Sequence, residues 1–97
     1  MEKIKKIEII TTSLELGKVL EILDKLGVSG YSVIRNVIGK GGRGMADDDI
    51  EMSVLSNVYV MTTCAEKEVH QLVEAIRPIL KRFGGICLVS DAEWIIH

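Results

Sequence analysis

The chain has 97 residues, 47% hydrophobic and 27% charged, and its twelve Lys and Arg against fourteen Asp and Glu leave a formal net charge of −2. That length fits one domain spanning residues 1–97, the composition fits a packed globular core, and the absence of a basic surplus argues against general nucleic-acid binding. Apolar runs of only a few residues fall short of the ~20 needed to span a bilayer, and the start Met1 to Glu8 lacks the apolar core of a secretion signal, so a cytoplasmic protein without membrane insertion is expected.

Lys3 to Thr11 carries Ile4, Ile7, Ile9 and Ile10 and reads as a first strand, its apolar face broken by Lys3, Lys5, Lys6 and Glu8. Thr12 and Glu15 have capping-box spacing ahead of a helix. Val19, Leu20, Ile22, Leu23 and Leu26 form its apolar flank, and Gly27 supplies the stop. Tyr31 to Ile38 is the second strand. Gly39-Lys40-Gly41-Gly42-Arg43-Gly44 then places four glycines in six residues, followed by Asp47, Asp48, Asp49 and Glu51. No strand or helix period survives there, and a loop over about 39–53 is expected to be mobile and exposed.

A third strand is predicted from about Ser53 to Thr62, with a second capping box at Thr63 and Glu66. Val69, Leu72, Val73, Ile76 and Leu80 give the following helix its inward stripe. Pro78 removes one hydrogen bond late in it, and Lys81 and Arg82 sit at its negative end. Gly84 and Gly85 form a turn, and Ile86 to Ile96 is the last strand.

The order strand-helix-strand-strand-helix-strand most economically folds as an α+β, ferredoxin-like four-stranded antiparallel sheet with both helices on one face. A domain this small buries only roughly two thirds of its unfolded-chain surface. The third and fourth strands read as apolar on both sides, so the bare sheet face is expected to pack against other copies, in a ring of three.

Gly39-x-Gly41-x-x-Gly44 matches the dinucleotide fingerprint in spacing, but Met45 to Ile50 does not open the helix whose N-terminus would hold a pyrophosphate. What remains is a segment of bare backbone N–H groups that, with Lys40 and Arg43, could cradle an anion, set against the simpler reading of a solvated turn. The acidic run lacks EF-hand spacing. His70 and His97 have no partner at ligand or triad spacing, and Cys64 and Cys87 lie outside any metal or redox pattern and read as small hydrophobes. Trp94 reads as a packing anchor. No nucleophile elbow or Cys/His pair points to an enzyme.

Gly30-Tyr-Ser-Val33, Gly39-Lys-Gly-Gly-Arg43 and the closing Phe83 to Glu93 resemble the P-II signalling superfamily, most closely its P-II-like branch associated with bicarbonate transporters and carboxysome operons. The resemblance spans the chain in element order, and its motifs cover about a third of it. It implies a homotrimer that binds adenine nucleotides in clefts between subunits, with no tightly held cofactor, and signals through the loop after the second strand. Carried over, it puts Ser32 and the backbone around Met61 and Thr62 near the adenine, and Gly39, Lys40, Gly41, Gly42 and Arg43 at the loop base. Gly84, Gly85 and Ile86 come from the neighbouring subunit. The nitrogen-sensing members carry a Gln in the loop base, a Tyr at its tip and two Arg on the final strand. Here the loop has neither Gln nor Tyr, and the chain ends Glu93-Trp-Ile-Ile-His97. The expectation is an effector with few phosphates, AMP, ADP or cyclic AMP ahead of ATP, and a partner such as a bicarbonate transporter. The alternatives are a nitrogen-regulatory protein acting on an ammonium transporter and a small metal-binding trimer of the same fold.

Overall fold

The computed structural model describes residues 1–39 and 56–95. Four strands, β1 (Glu2–Thr12), β2 (Tyr31–Val37), β3 (Asn57–Cys64) and β4 (Ile86–Trp94), and two helices, α1 (Leu16–Lys25) and α2 (Val69–Phe83), follow the expected order. The strands form one sheet in the order β2-β3-β1-β4, every neighbouring pair antiparallel.

Alternation decides which side chains meet the helices. Val58, Val60, Thr62 and Cys64 of β3 are buried while the residues between them are only half-buried, and Ile7, Ile9 and Thr11 of β1 share that face through the pairs Ile7 with Thr62, Ile9 with Val60 and Thr11 with Val58. Onto this surface pack Leu16, Val19 and Leu23 of α1 and Leu72, Ile76 and Ile79 of α2. Each fully buried Ile or Leu contributes about 1.5–3 kcal/mol, so this aliphatic layer holds the fold without aromatic residues. Ile79 joins the stripe expected for α2, and Leu80 is only partly buried. The helix runs through Pro78 without interruption. Gly27 stops α1 at φ 73°, with the Val28 N–H reaching back to the Leu23 carbonyl at 3.3 Å, a Schellman closure.

Both capping boxes differ from expectation. The Thr12 hydroxyl accepts from the Leu14 N–H at 3.4 Å, opening a single 3-10 turn over Ser13–Glu15, but Glu15 is buried instead of reaching back to Thr12. The second box forms two residues later than predicted. β3 continues to Cys64 because its ladder with β1 extends to Lys5 opposite Cys64, so the chain turns only at Ala65, whose N–H donates to the Glu68 carboxylate at 3.2 Å. Ala has no acceptor, so only this half of the box exists. β3 begins at Asn57; residues 53–55 of the predicted strand, and Ile96 at the end of the last one, lie outside the described residues.

The opposite sheet face has no helix over it. Ile34, Ile86, Leu88 and Trp94 are about half exposed there. Trp94 is therefore only half covered within one copy. β3 is less apolar on this side than its sequence suggested, presenting Asn57, Tyr59, Met61 and Thr63. The Tyr59 hydroxyl donates to the Glu8 carboxylate at 2.6 Å, and the Lys6 ammonium lies 3.8 Å from the same oxygen. These three polar groups satisfy one another in the middle of the uncovered surface.

Candidate nucleotide site

The ladders bring the C-terminal ends of β1 and β2 and the N-terminal ends of β3 and β4 to one end of the sheet, since Thr12 and Val37 both pair with Asn57 and Ile10 pairs with Ile86. Gly39 leaves the sheet at this end, and Gly84, Gly85 and Ile86 enter it there. Lys40, Gly41, Gly42 and Arg43, with the rest of the predicted loop and the acidic run, lie outside the described residues.

The glycine turn is held from two sides. The Gly84 N–H closes α2 onto the Leu80 carbonyl at 2.8 Å, and its own carbonyl accepts from the Thr11 hydroxyl at 3.0 Å. Gly84 and Gly85 take φ of 83° and 122°, and a Cβ on Gly85 would stand 2.2 Å from the Ile10 carbonyl oxygen. Only glycine lets the backbone pass this close to β1. Thr11 is the residue here that sequence reading missed; its hydroxyl looks like an ordinary strand-end Thr until the turn is seen beside it. Arg82 places its guanidinium 5.3 Å from the Phe83 ring centroid, a surface cation–π contact.

Ser32 and Met61 face each other across the β2–β3 ladder, and Tyr31 pairs with Thr62. Ser32 is exposed. The Thr62 side chain is buried on the helix side and donates its hydroxyl to the Gly30 carbonyl at 2.6 Å, so Thr62 fixes the start of β2 and offers a ligand no side chain. Gly39 is seven residues along the chain from Ser32 and two beyond the end of β2 at Val37, at most roughly 23 Å away at about 3.3 Å per residue. β2 and β4 are opposite sheet edges, three strand spacings of about 4.8 Å apart. One copy thus brings together Ser32 with Met61, and Gly84 with Gly85 and Ile86, but does not bring these two groups together.

Two clefts among the described residues lie away from these groups. One of about 260 Å³ lies between the end of α1 and the start of α2, lined by Val28, Ser29, Thr63, Cys64, Glu68 and Leu72 among others. Another of about 510 Å³ runs beside Lys3, Lys5, Glu66, Asp91 and Glu93. In it the Lys5 ammonium bonds Asp91 and lies 3.7 Å from Glu66. Asp91 holds Lys5 above its ordinary value, and the same hydrogen bond holds Asp91 below its own. Burial pushes both thiols up, that of Cys64 and that of Cys87, so neither is an activated nucleophile. Among the described residues no three His, Cys, Asp or Glu side chains gather as a metal site, and no helix is long and apolar enough to cross a membrane.

Comparison with known proteins places this arrangement. The profile of the family described as Nitrogen regulatory protein P-II matches residues 4–96. CPII, a nitrogen regulatory PII-like protein from Thiomonas intermedia solved bound to ADP, AMP and bicarbonate, is 26% identical, with a TM-score of 0.83 over 98% of this chain and 96% of that one. Its structure with ADP, AMP and acetate is 25% identical, with a TM-score of 0.84 over 98% and 91%. A UPF0166 protein of Methanocaldococcus jannaschii is 26% identical over 76 residues, covering 77% of this chain and 69% of that protein. With a family match over nearly its whole length and PII-like proteins sharing its fold end to end, the chain belongs to the P-II signalling superfamily, on its PII-like branch.

Proposed function

We propose that the chain is a non-enzymatic cytoplasmic signalling protein that assembles as a homotrimer and binds an adenine nucleotide between copies. Ser32, the backbone around Met61 and Thr62, and Gly39 to Arg43 of one copy face the turn of Gly84, Gly85 and Ile86 from another. The observation that carries this reading is the separation within one copy. Ser32 on β2 and the Gly84 turn that opens β4 stand at opposite edges of one sheet, three strand spacings of about 4.8 Å apart, so one copy does not bring them together and a second copy supplies the missing half. The uncovered sheet face, with Ile34, Leu88 and Trp94 half exposed, is the surface by which copies associate.

ADP and AMP are the favoured effectors, with cyclic AMP and ATP as further candidates, because CPII carries ADP and AMP and the closing segment Glu93 to His97 holds no Arg for outer phosphates. Nucleotide binding selects one conformation of the segment over about 39–53, which an inorganic-carbon partner such as a bicarbonate transporter reads. Titration calorimetry tests the ligand: micromolar binding of ADP or AMP is expected, and no heat with AMP, ADP, ATP or cyclic AMP rules it out. Arg43→Ala should weaken ADP more than adenosine. Equal losses for both would remove Arg43 from the phosphates.

A further inference from the structure

The middle of the uncovered sheet face holds a carboxylate in apolar company. Glu8 of β1 stands opposite Met61 of β3 in one ladder and opposite Leu88 of β4 in the other, and Ile34, Ile86 and Leu88 on the same face are each about half exposed. Already in one copy the Glu8 side chain is only 26% exposed. Both groups that compensate it belong to the same copy: the Tyr59 hydroxyl donates to Glu8 Oε2 at 2.6 Å, and the Lys6 ammonium lies 3.8 Å from that oxygen. The hydrogen bond to Glu8 holds the Tyr59 phenol above its ordinary value, so it remains a donor near neutral pH.

Among the described residues, the face carries no further charge until its rim. Cross-strand partners share a face, so β2 contributes Ser32 and Ile34, β4 contributes Ile86, Leu88, Ser90 and Ala92, and Glu2 lies at the end opposite Trp94. One cation and one anion therefore cancel in the middle of an apolar surface. A nucleic acid or a strongly charged peptide finds no net charge to bind there, whereas a second copy presents a face of the same kind without opposing like charges. A carboxylate left in water gains little from such partners. One enclosed without them keeps an uncompensated charge, at a large cost in free energy.

We infer that Lys6, Glu8 and Tyr59 form the polar centre of the contact between copies, paired within each copy so that the Glu8 carboxylate is charged and satisfied when a second copy of the chain covers it. This rests on the reading that copies associate through this face, and it does not depend on the nucleotide. Removing one member strands the others inside the contact. Replacing all three with apolar groups of similar size removes the charge together with its partners and is close to neutral or favourable, so a single change costs more than the triple.

Sedimentation velocity on the full chain, over a concentration series near neutral pH, reads the association, and circular dichroism checks that each variant folds. Lys6→Met, which leaves Glu8 without its cation, should weaken association about tenfold or more. Glu8→Gln, which keeps the size and the Tyr59 bond but leaves Lys6 without its anion, should act in the same direction and serves if Lys6→Met fails to fold. The triple variant Lys6→Met, Glu8→Leu, Tyr59→Phe should associate within about threefold of wild type or more tightly. Single variants that associate like wild type, or a triple variant as weak as the singles, overturn the inference. Trp94→Lys, which charges the same face away from the cluster, separates this from failure of the underlying reading. If it parts the copies while Lys6→Met and Glu8→Gln do not, the copies meet through this face and the inference alone is wrong. If none of the three weakens association, or wild type stays a single copy at every concentration, the reading of the face fails and the inference with it.

Discussion

Three glycines of the described structure make a graded test of how the fold is held. Gly85 has φ 122°, and an added Cβ would meet the Ile10 carbonyl oxygen at 2.2 Å and the Leu80 Cδ2 at 3.1 Å. Backbone strain of this kind costs about 1–3 kcal/mol, and forcing a methyl into a closed contact costs about 1–3 kcal/mol more. Gly85→Ala should thus lose roughly 4 kcal/mol, a large part of the 5–15 kcal/mol typical of a domain. Gly27 also has positive φ, at 73°, but open space around its missing Cβ, so Gly27→Ala should lose only about 1–2 kcal/mol. Gly17 lies within α1 with nothing in the way, and Gly17→Ala should gain about 0.5–1 kcal/mol. Urea unfolding at one fixed protein concentration, needed because association adds to apparent stability, reads all three. At a slope of about 2 kcal/mol per molar urea, Gly85→Ala lowers the midpoint by on the order of 2 M. A Gly85→Ala loss no larger than that of Gly27→Ala would refute the close passage of the turn over β1.

Three further outcomes follow from the charges and the uncovered face. The Lys5–Asp91 pair should couple in a double-mutant cycle with Lys5→Met and Asp91→Asn near neutral pH. Asp91 is held below its ordinary value, so its share is present above that value and lost as pH falls through the lower folded one. Lys5 is held above its own, so its share is present below the ordinary lysine value and lost as pH rises through the higher folded one. Coupling that persists in strong acid refutes the pair. Glu8 accepts the Tyr59 hydroxyl and holds that phenol above its ordinary value, so this contribution is present below about pH 10 and lost as pH rises past it. Ultraviolet titration of a Tyr31→Phe background should show the phenol fall on Glu8→Gln, and no change refutes the bond. Trp94 is the only tryptophan and is 50% exposed in one copy. Its fluorescence should shift to the red when dilution separates the copies, and an emission maximum independent of concentration contradicts burial between them.

Element order, helix stops and the aliphatic core were legible because each rests on local pattern: the alternation of β3, the stripe of Leu72 and Ile76, and Gly27 at the end of α1. What escaped notice depends on pairing across the sheet. The second cap moved to Ala65 because the β1 ladder carries β3 two residues further than its own composition indicates. The Thr11 bond to Gly84 joins residues 73 positions apart, and the Tyr59 bond to Glu8 joins residues 51 apart; neither has a local signal. Asn36, the extra residue of β2 between Arg35 and Val37 with φ 61°, gave no more hint than Asn's general tolerance of turns. The glycine-rich motifs marked where the backbone is special, and strand order revealed that Ser32 on β2 and the Gly84 turn before β4 stand at opposite sheet edges of one copy.

The central claim is that copies of this chain create a nucleotide site that none has alone, and native mass spectrometry during titration with ADP tests it most directly. The account predicts a three-copy ion that takes up as many as three ADP molecules, with no ADP on the single-copy ion. ADP carried by single copies, or a three-copy ion that never gains ADP, AMP, ATP or cyclic AMP, would contradict it.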